Sequence, residues 1–251
     1  MSKASSITWE VVADEDALAE RAAARIRELV APAAPPGPLL CLPTGETPKQ
    51  TYARLVDEAR AAPPGTGLHA ARLVQLDEWG GLPPGDEATC REFLLRHLVR
   101  PAGLPAERLV GFHSQPADPA AECARIAGWL EQSGPIDLCL LGLGVNGHLG
   151  LNEPGPALQP RAHVAALADS TRGHTMLRGR DPSALYGLTL GLAEILESRQ
   201  ILLLVSGAAK RPALRALREG VITTQLPASL LHLHARRGVT VLCDAAAWST
   251  G

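Results

Sequence analysis

Short, wholly apolar runs alternate along the chain with longer stretches in which apolar residues recur every third or fourth position. Residues 14–30 carry Leu18, Ala22, Ile26 and Val30 at four-residue spacing, which predicts a helix. Leu39–Leu42 is a short apolar run that ends in Pro43-Thr44-Gly45, the pattern of a buried strand and a turn, and a helix is expected from Pro48. Further strands are predicted at 73–76, 109–112, 136–141, 201–205 and 239–243. Between them, Thr89-x-x-Glu92 reads as a capping box, and Asp118-Pro119 opens a helix that Gly134 closes.

Strands buried on both faces and alternating with helices predict an α/β fold: a mainly parallel, doubly wound, Rossmann-like sheet with helices on both faces. With 251 residues, no internal repeat and only a short Pro/Ala-rich stretch over 32–38, one domain over 1–251 is expected. In such folds ligands bind outside the carboxyl ends of the strands. Lys plus Arg number 24 and Asp plus Glu 26, a net charge of -2 that gives no reason to expect nucleic acid or a membrane surface as partner. The five cysteines form no CxxC, so a reducing, cytoplasmic setting is expected. No apolar run is long enough to span a bilayer and no targeting segment opens the chain. A homo-oligomer is compatible with the sequence.

Four strand ends carry candidate chemistry. Leu42-Pro43-Thr44-Gly45-Glu46-Thr47-Pro48 is a turn into a helix whose free N–H groups can cradle an anion, with hydroxyls from Thr44 and Thr47; an ordinary turn reads the same, and Glu46 fits only if it points away. Asp77 and Glu78 follow directly on a buried strand and should diverge. One of them facing a cleft could serve as a general base, or both could be solvated loop acids. The run 142–155 opens as G-x-G-x-x-G, but Gly150, Pro154 and Gly155 exclude the helix that a dinucleotide fingerprint needs. It is instead a glycine-rich loop that brings His148 near Glu153, a proton-transfer pair if the carboxylate orients the ring. No HxxxH, HExxH or Cys/His cluster surrounds it, so no metal is expected. Finally, Ser206-Gly207-Ala208-Ala209-Lys210-Arg211 puts two cations where a helix N-terminus favours anions, a cost easier to explain if they face an anionic ligand.

These segments resemble the glucosamine/galactosamine-6-phosphate isomerase (deaminase) family. The matching pieces are Leu42-Pro43-Thr44-Gly45-x-Thr47-Pro48, Leu76-Asp77-Glu78-Trp79-x-Gly81-Leu82, Gly142-x-Gly144-x-Asn146-Gly147-His148-x-Gly150-x-Asn152-Glu153-Pro154-Gly155 and Gly207-x-x-Lys210. The resemblance implies that Asp77 moves a proton between C2 and C1 of an amino-sugar phosphate. It implies that His148 opens the sugar ring and that Glu153 holds His148. Lys210 and the loop Thr44, Gly45, Glu46 and Thr47 would grip the phosphate beside Gly147, and Arg172 would lie in a mobile lid. It implies no cofactor.

Asn146 stands where the glucosamine branch carries Asp, so a proton relay through that position is absent. The surrounding motif, with Pro227-Ala228-Ser229 and Leu231-His232-Leu233-His234, resembles the galactosamine-6-phosphate branch, which would give tagatose 6-phosphate and ammonia. The glucosamine-6-phosphate reaction giving fructose 6-phosphate is the alternative. Leu177 falls near the family's lid arginine, with Arg178 and Arg180 beside it, and the family's C-terminal extension has no counterpart, so activation by an N-acetylated sugar phosphate is not expected. A 6-phosphogluconolactonase has no need of Glu153. A non-catalytic sugar-phosphate sensor has no need of the Asp77, His148 and Glu153 set, and the domain starts too early for a helix-turn-helix before it.

Overall fold

The computed structural model describes residues 7–31, 36–63, 65–181, 185–236 and 238–249; residues 1–6 and the middle of the Pro/Ala stretch, 32–35, lie outside them. In chain order come β1 (Ile7–Val12), α1 (Glu15–Val30), β2 (Leu39–Leu42), α2 (Glu46–Ala61), β3 (Arg72–Gln75), β4 (Asp77–Gly80), α3 (Cys90–Leu94), β5 (Leu109–Val110) and α4 (Pro119–Ser133). There follow β6 (Leu138–Gly142), β7 (His163–Ala165), α5 (Asp169–Arg172), β8 (Tyr186–Thr189), α6 (Leu192–Leu196), β9 (Gln200–Val205), α7 (Arg211–Glu219), β10 (Val239–Asp244) and α8 (Ala245–Trp248).

Seven strands form one sheet in the order β1-β10-β9-β6-β2-β3-β5, every pair parallel. Side chains alternate across it. Leu39, Cys41, Val74, Leu141 and Leu203 join one core with residues of α4, α6 and α7, while Leu40, Leu42, Leu73, Leu140 and Leu202 join another with α1, α2 and α3. Both faces are thus buried under helices, as the continuous apolar runs require. From β2 the chain winds outward through β3 and β5, then returns to β6 and winds the other way. The strand order therefore reverses between β2 and β6, and the crevice there is where the loops after β2 and β6 meet.

Helix ends follow their caps. The Asp14 carboxylate accepts from Ala17 N at 2.9 Å and that of Asp118 from Ala120 N and Ala121 N, each worth about 1 kcal/mol. Thr89 caps α3 through Glu92 N, but Glu92 pairs with Arg100 instead of returning to Thr89, so only half of the expected capping box forms. Helix α2 begins at Glu46, two residues before the expected Pro48. Strand β6 begins at Leu138 rather than 136, and β5 is only two residues long, ending just before Gly111, whose backbone lies against the Gln75 side chain.

A second sheet was not expected. Strands β4, β8 and β7 pair antiparallel, with Asp77 opposite Thr189. Leu76 alone separates β4 from β3, so the chain leaves the parallel sheet and turns immediately into this small one. It carries its own apolar cluster around Trp79, Leu151, Leu167 and Leu177. Among the described residues no helix is long and apolar enough to cross a membrane, and the five cysteines are free and buried.

Candidate active site

The carboxyl ends of β2, β3, β6 and β9 surround a cleft of about 360 Å³, lined among others by Thr44–Thr47, Asp77, Trp79, Gly144, His148, Thr171, His174, Ser206 and Lys210. A larger groove, about 790 Å³, runs along α7 and α8, but holds no pair of groups suited to proton transfer.

After β2, Gly45 takes φ 122 to start α2, a backbone conformation that L side chains rarely adopt. That turns the first N–H groups of a 16-residue helix toward the cleft mouth. Tyr52 fixes the turn by donating to Pro43 O at 2.7 Å. Glu46 is exposed and paired with Lys49 at 3.3 Å, so its charge is partly neutralised at the mouth.

After β3, the two neighbouring acids part as strand geometry demands. Glu78, fully buried, accepts from Trp79 N, Cys90 N, Arg91 N and Gln75 Nε2 at 2.7 to 2.9 Å. It is therefore a structural cap for α3. Asp77 faces the cleft and is 8% exposed. Burial, and then the Glu78 charge beside it, raise its carboxyl to about 7, while a hydrogen bond from the Cys90 thiol acts the other way. Neither residue is a solvated loop acid.

After β6, no helix forms. Gly144 N donates to His148 O at 3.1 Å and Gly147 N to Gly144 O at 3.0 Å, closing a tight loop. A Cβ on Gly144 would sit 2.5 Å from the His148 ring, so the ring lies directly on that backbone. Glu153 Oε2 accepts from His148 Nδ1 at 3.2 Å and from Asn146 Nδ2 at 2.8 Å, while the Thr171 hydroxyl donates to Oε1. Burial alone would raise Glu153; the hydrogen bonds from His148, Thr171 and Asn146 and the His148 charge outweigh it and bring the carboxyl down to about 2. Asn146 also accepts from His148 N at 3.2 Å, so its amide ties both partners together.

After β9, Asp244 accepts from Ser206 Oγ at 2.6 Å and from Gly207 N, which shapes the turn ahead of Lys210. Lys210 lines the cleft and has no ion pair among the described residues, and burial lowers its proton affinity. Arg211 turns away and donates to Ala246 O at 2.6 Å, so the two adjacent cations do not act together.

The structure thus brings Thr44, Gly45, Glu46, Thr47, Asp77, His148 and Lys210 to one cleft. Asn146 and Glu153 support His148 without lining the cleft, Gly147 packs against Leu226, and Arg172 donates to Leu167 O at 3.1 Å. Leu177 is buried, and Arg180 forms an ion pair with Asp86 at 2.7 Å. Four lining residues whose side chains carry a hydrogen-bonding group were given no role from the sequence: Trp79, Thr171, His174 and Ser206. All lie inside segments singled out for other residues or just beyond them.

A family model described as Glucosamine-6-phosphate isomerases/6-phosphogluconolactonase matches residues 13–242. Among relatives, the protein named "Putative deaminase AgaI" of Escherichia coli (strain K12) is 39% identical over 91% of this chain and 89% of its own. Glucosamine-6-phosphate deaminase of Geobacillus sp. (strain WCH70) is 39% identical over 83% and 82%. A monomeric glucosamine-6-phosphate deaminase, described as a missing link of the NagB superfamily, superposes with a TM-score of 0.86 at 32% identity over 96% of this chain and 98% of that one. 6-Phosphogluconolactonase from Trypanosoma cruzi superposes at 0.79 with 18% identity over 98% of each chain, a likeness of fold alone.

Proposed function

Because this chain is an enzyme that belongs to the family of glucosamine-6-phosphate isomerases and 6-phosphogluconolactonases, the choice lies between deamination and lactone hydrolysis, and we propose that it deaminates a 2-amino-2-deoxyhexose 6-phosphate. The observation that carries this reading is a buried carboxyl raised to about 7, Asp77, sharing a cleft with a carboxylate-held histidine and a lysine that has no ion pair among the described residues. Lactone hydrolysis needs a water and a base. It does not need a group that takes a proton from one carbon, keeps it, and returns it to the next.

In this reading the phosphate sits against the N–H groups of the 44–47 turn, the two threonine hydroxyls and Lys210. Anchoring there fixes the sugar for reaction at its other end. Glu153 is ionised at neutral pH and accepts from Nδ1–H of His148. That bond fixes the tautomer and leaves Nε2 with the lone pair, able to take the O1 proton and hand it to the ring oxygen as the ring opens. Asp77 then takes the proton from C2 as O1 gains one, giving an enolamine, and returns it to C1 as the nitrogen gives one up, giving an imine at C2, so that one proton passes from C2 to C1 and one from nitrogen to O1. Water adds to the imine and ammonia leaves, so the product is the ketose 6-phosphate. A carboxyl near 7 can both accept and keep the proton at neutral pH.

The galacto epimer, giving tagatose 6-phosphate, is favoured by the resemblance of the 146–155 motif to the galactosamine-6-phosphate branch; within that motif the Asn146 amide, which cannot relay a proton, bridges His148 and Glu153. Glucosamine 6-phosphate, named for the relatives above, is the second reading. Ammonia release from the two epimers, measured side by side, tests both levels. A higher kcat/KM on galactosamine 6-phosphate is the expected result. Preference for the gluco epimer keeps the chemistry and reverses the epimer. No ammonia from either removes the reading.

A further inference from the structure

Two donors in the cleft are left without work by this mechanism. Trp79 lies two residues after Asp77 on β4, so both side chains emerge on the same side of the strand, and both line the cleft. Trp79 is 4% exposed, and its indole N–H finds no acceptor among the described residues. A buried N–H without a partner carries a desolvation cost unless something fills its place. His174 lies against it, ring centroids 5.6 Å apart. Its Nδ1 accepts from Met176 N at 3.3 Å, which makes the neutral ring the Nε2–H tautomer and so a donor. Burial, then the charges of His148 and Lys210, lower its proton affinity, which favours that neutral form and places the ring within electrostatic reach of both ends of the cleft.

We propose that Trp79 and His174 form a pair of neutral donors that bind hydroxyl oxygens of the sugar chain between the anchored phosphate and the reacting carbons. Cations and backbone N–H groups already serve the phosphate. Two uncharged donors suit uncharged oxygens, and a site built around a substrate hydroxyl discriminates strongly against a substrate that misplaces it. The pair rests on the sugar-phosphate reading above. It also gives the segment 169–177, which carries His174, a direct contact with substrate.

The test is calorimetric binding of sorbitol 6-phosphate and galactitol 6-phosphate, which cannot react, with inorganic phosphate as the ligand lacking hydroxyls. Trp79→Phe keeps the apolar bulk and removes the donor; His174→Phe does the same at a half-buried position. Each is expected to weaken binding of at least one hexitol phosphate roughly 3- to 10-fold, the size of one neutral hydrogen bond, and to leave phosphate binding unchanged. Should Trp79→Phe fail to fold, His174→Phe decides alone. Unchanged hexitol phosphate binding, or an equal loss for inorganic phosphate, overturns the pair while ammonia release by the wild type keeps the deaminase reading. Weakened binding in the variants with no ammonia from the wild type keeps the pair and discards the deaminase. A wild type that binds none of the three ligands overturns both.

Discussion

The two ends of the cleft are built on different principles. The end proposed to take the phosphate is open and made largely of main chain: a glycine-started helix turn, two threonines and one lysine hung on parallel strands. The end proposed for the reaction is closed. Asp77 and Trp79 come from the antiparallel sheet, and His148 is pressed on Gly144 with its carboxylate partner behind it. Binding a dianion needs donors and charge, which tolerate solvent. Moving a proton between carbons near neutral pH needs a carboxyl whose proton affinity has been altered, which requires burial. In the proposed reading the chain meets the second need by turning out of its main sheet at Leu76 and setting an acid at the first residue of a new strand.

The contrast predicts where substitutions act. Asp77→Asn should cost on the order of 10³-fold in kcat and leave hexitol phosphate affinity within about 3-fold; an equal loss of binding would erase the division between the two ends. The same variant should gain stability. A carboxyl held at about 7 keeps its proton more tightly folded than unfolded, so wild-type stability falls as pH rises from about 4 to 7. Asp77→Asn lacks that fall and should exceed wild type above pH 7 by up to about 4 kcal/mol, with no difference near pH 4; denaturant melts at the two pH values check it. Next, Glu153→Gln should lower kcat roughly 100-fold by releasing the tautomer of His148, with KM little changed. Since Glu153 sits near 2 in the folded chain, its ionised form adds stability above its unfolded range near 4.5. The stability gap between wild type and Glu153→Gln should therefore close as pH falls toward 2. Lys210→Met, at the open end, should raise KM about 30-fold, the worth of a charged hydrogen bond, and leave kcat within a few-fold. The smallest effect is expected from Gly144→Ala, whose Cβ must displace the His148 ring: roughly a 10-fold loss in kcat without a change in KM, seen by steady-state kinetics.

The same contrast marks what could be read in the sequence. Six strands of the parallel sheet were legible because they are largely apolar and alternate with helices, and the Asp118 cap forms as expected; β1 was not, because at the edge of the sheet its sequence Ile7-Thr8-Trp9-Glu10-Val11-Val12 mixes polar with apolar positions. The open end was legible because a Gly turn into a helix and a misplaced lysine are local signals. The second sheet was not. Its strands hold only three or four residues, and β4 follows β3 after one residue, so Leu73–Gly80 has no visible break. Residues contributed from far along the chain were also hidden: Thr171 reaches Glu153 across 18 positions and His174 meets Trp79 across the cleft. That Asp77 and Glu78 diverge followed from strand geometry. Which of them faces the cleft depended on the start of α3 taking Glu78 as its cap.

The account turns on the carboxyl of Asp77. Its titration in the ligand-free enzyme can be followed by carboxyl-carbon NMR, with the signal assigned by its disappearance in Asp77→Asn. A midpoint at about pH 7 is the predicted result; a midpoint near 4, the ordinary range of an aspartate, contradicts a base tuned by burial at the closed end of the cleft.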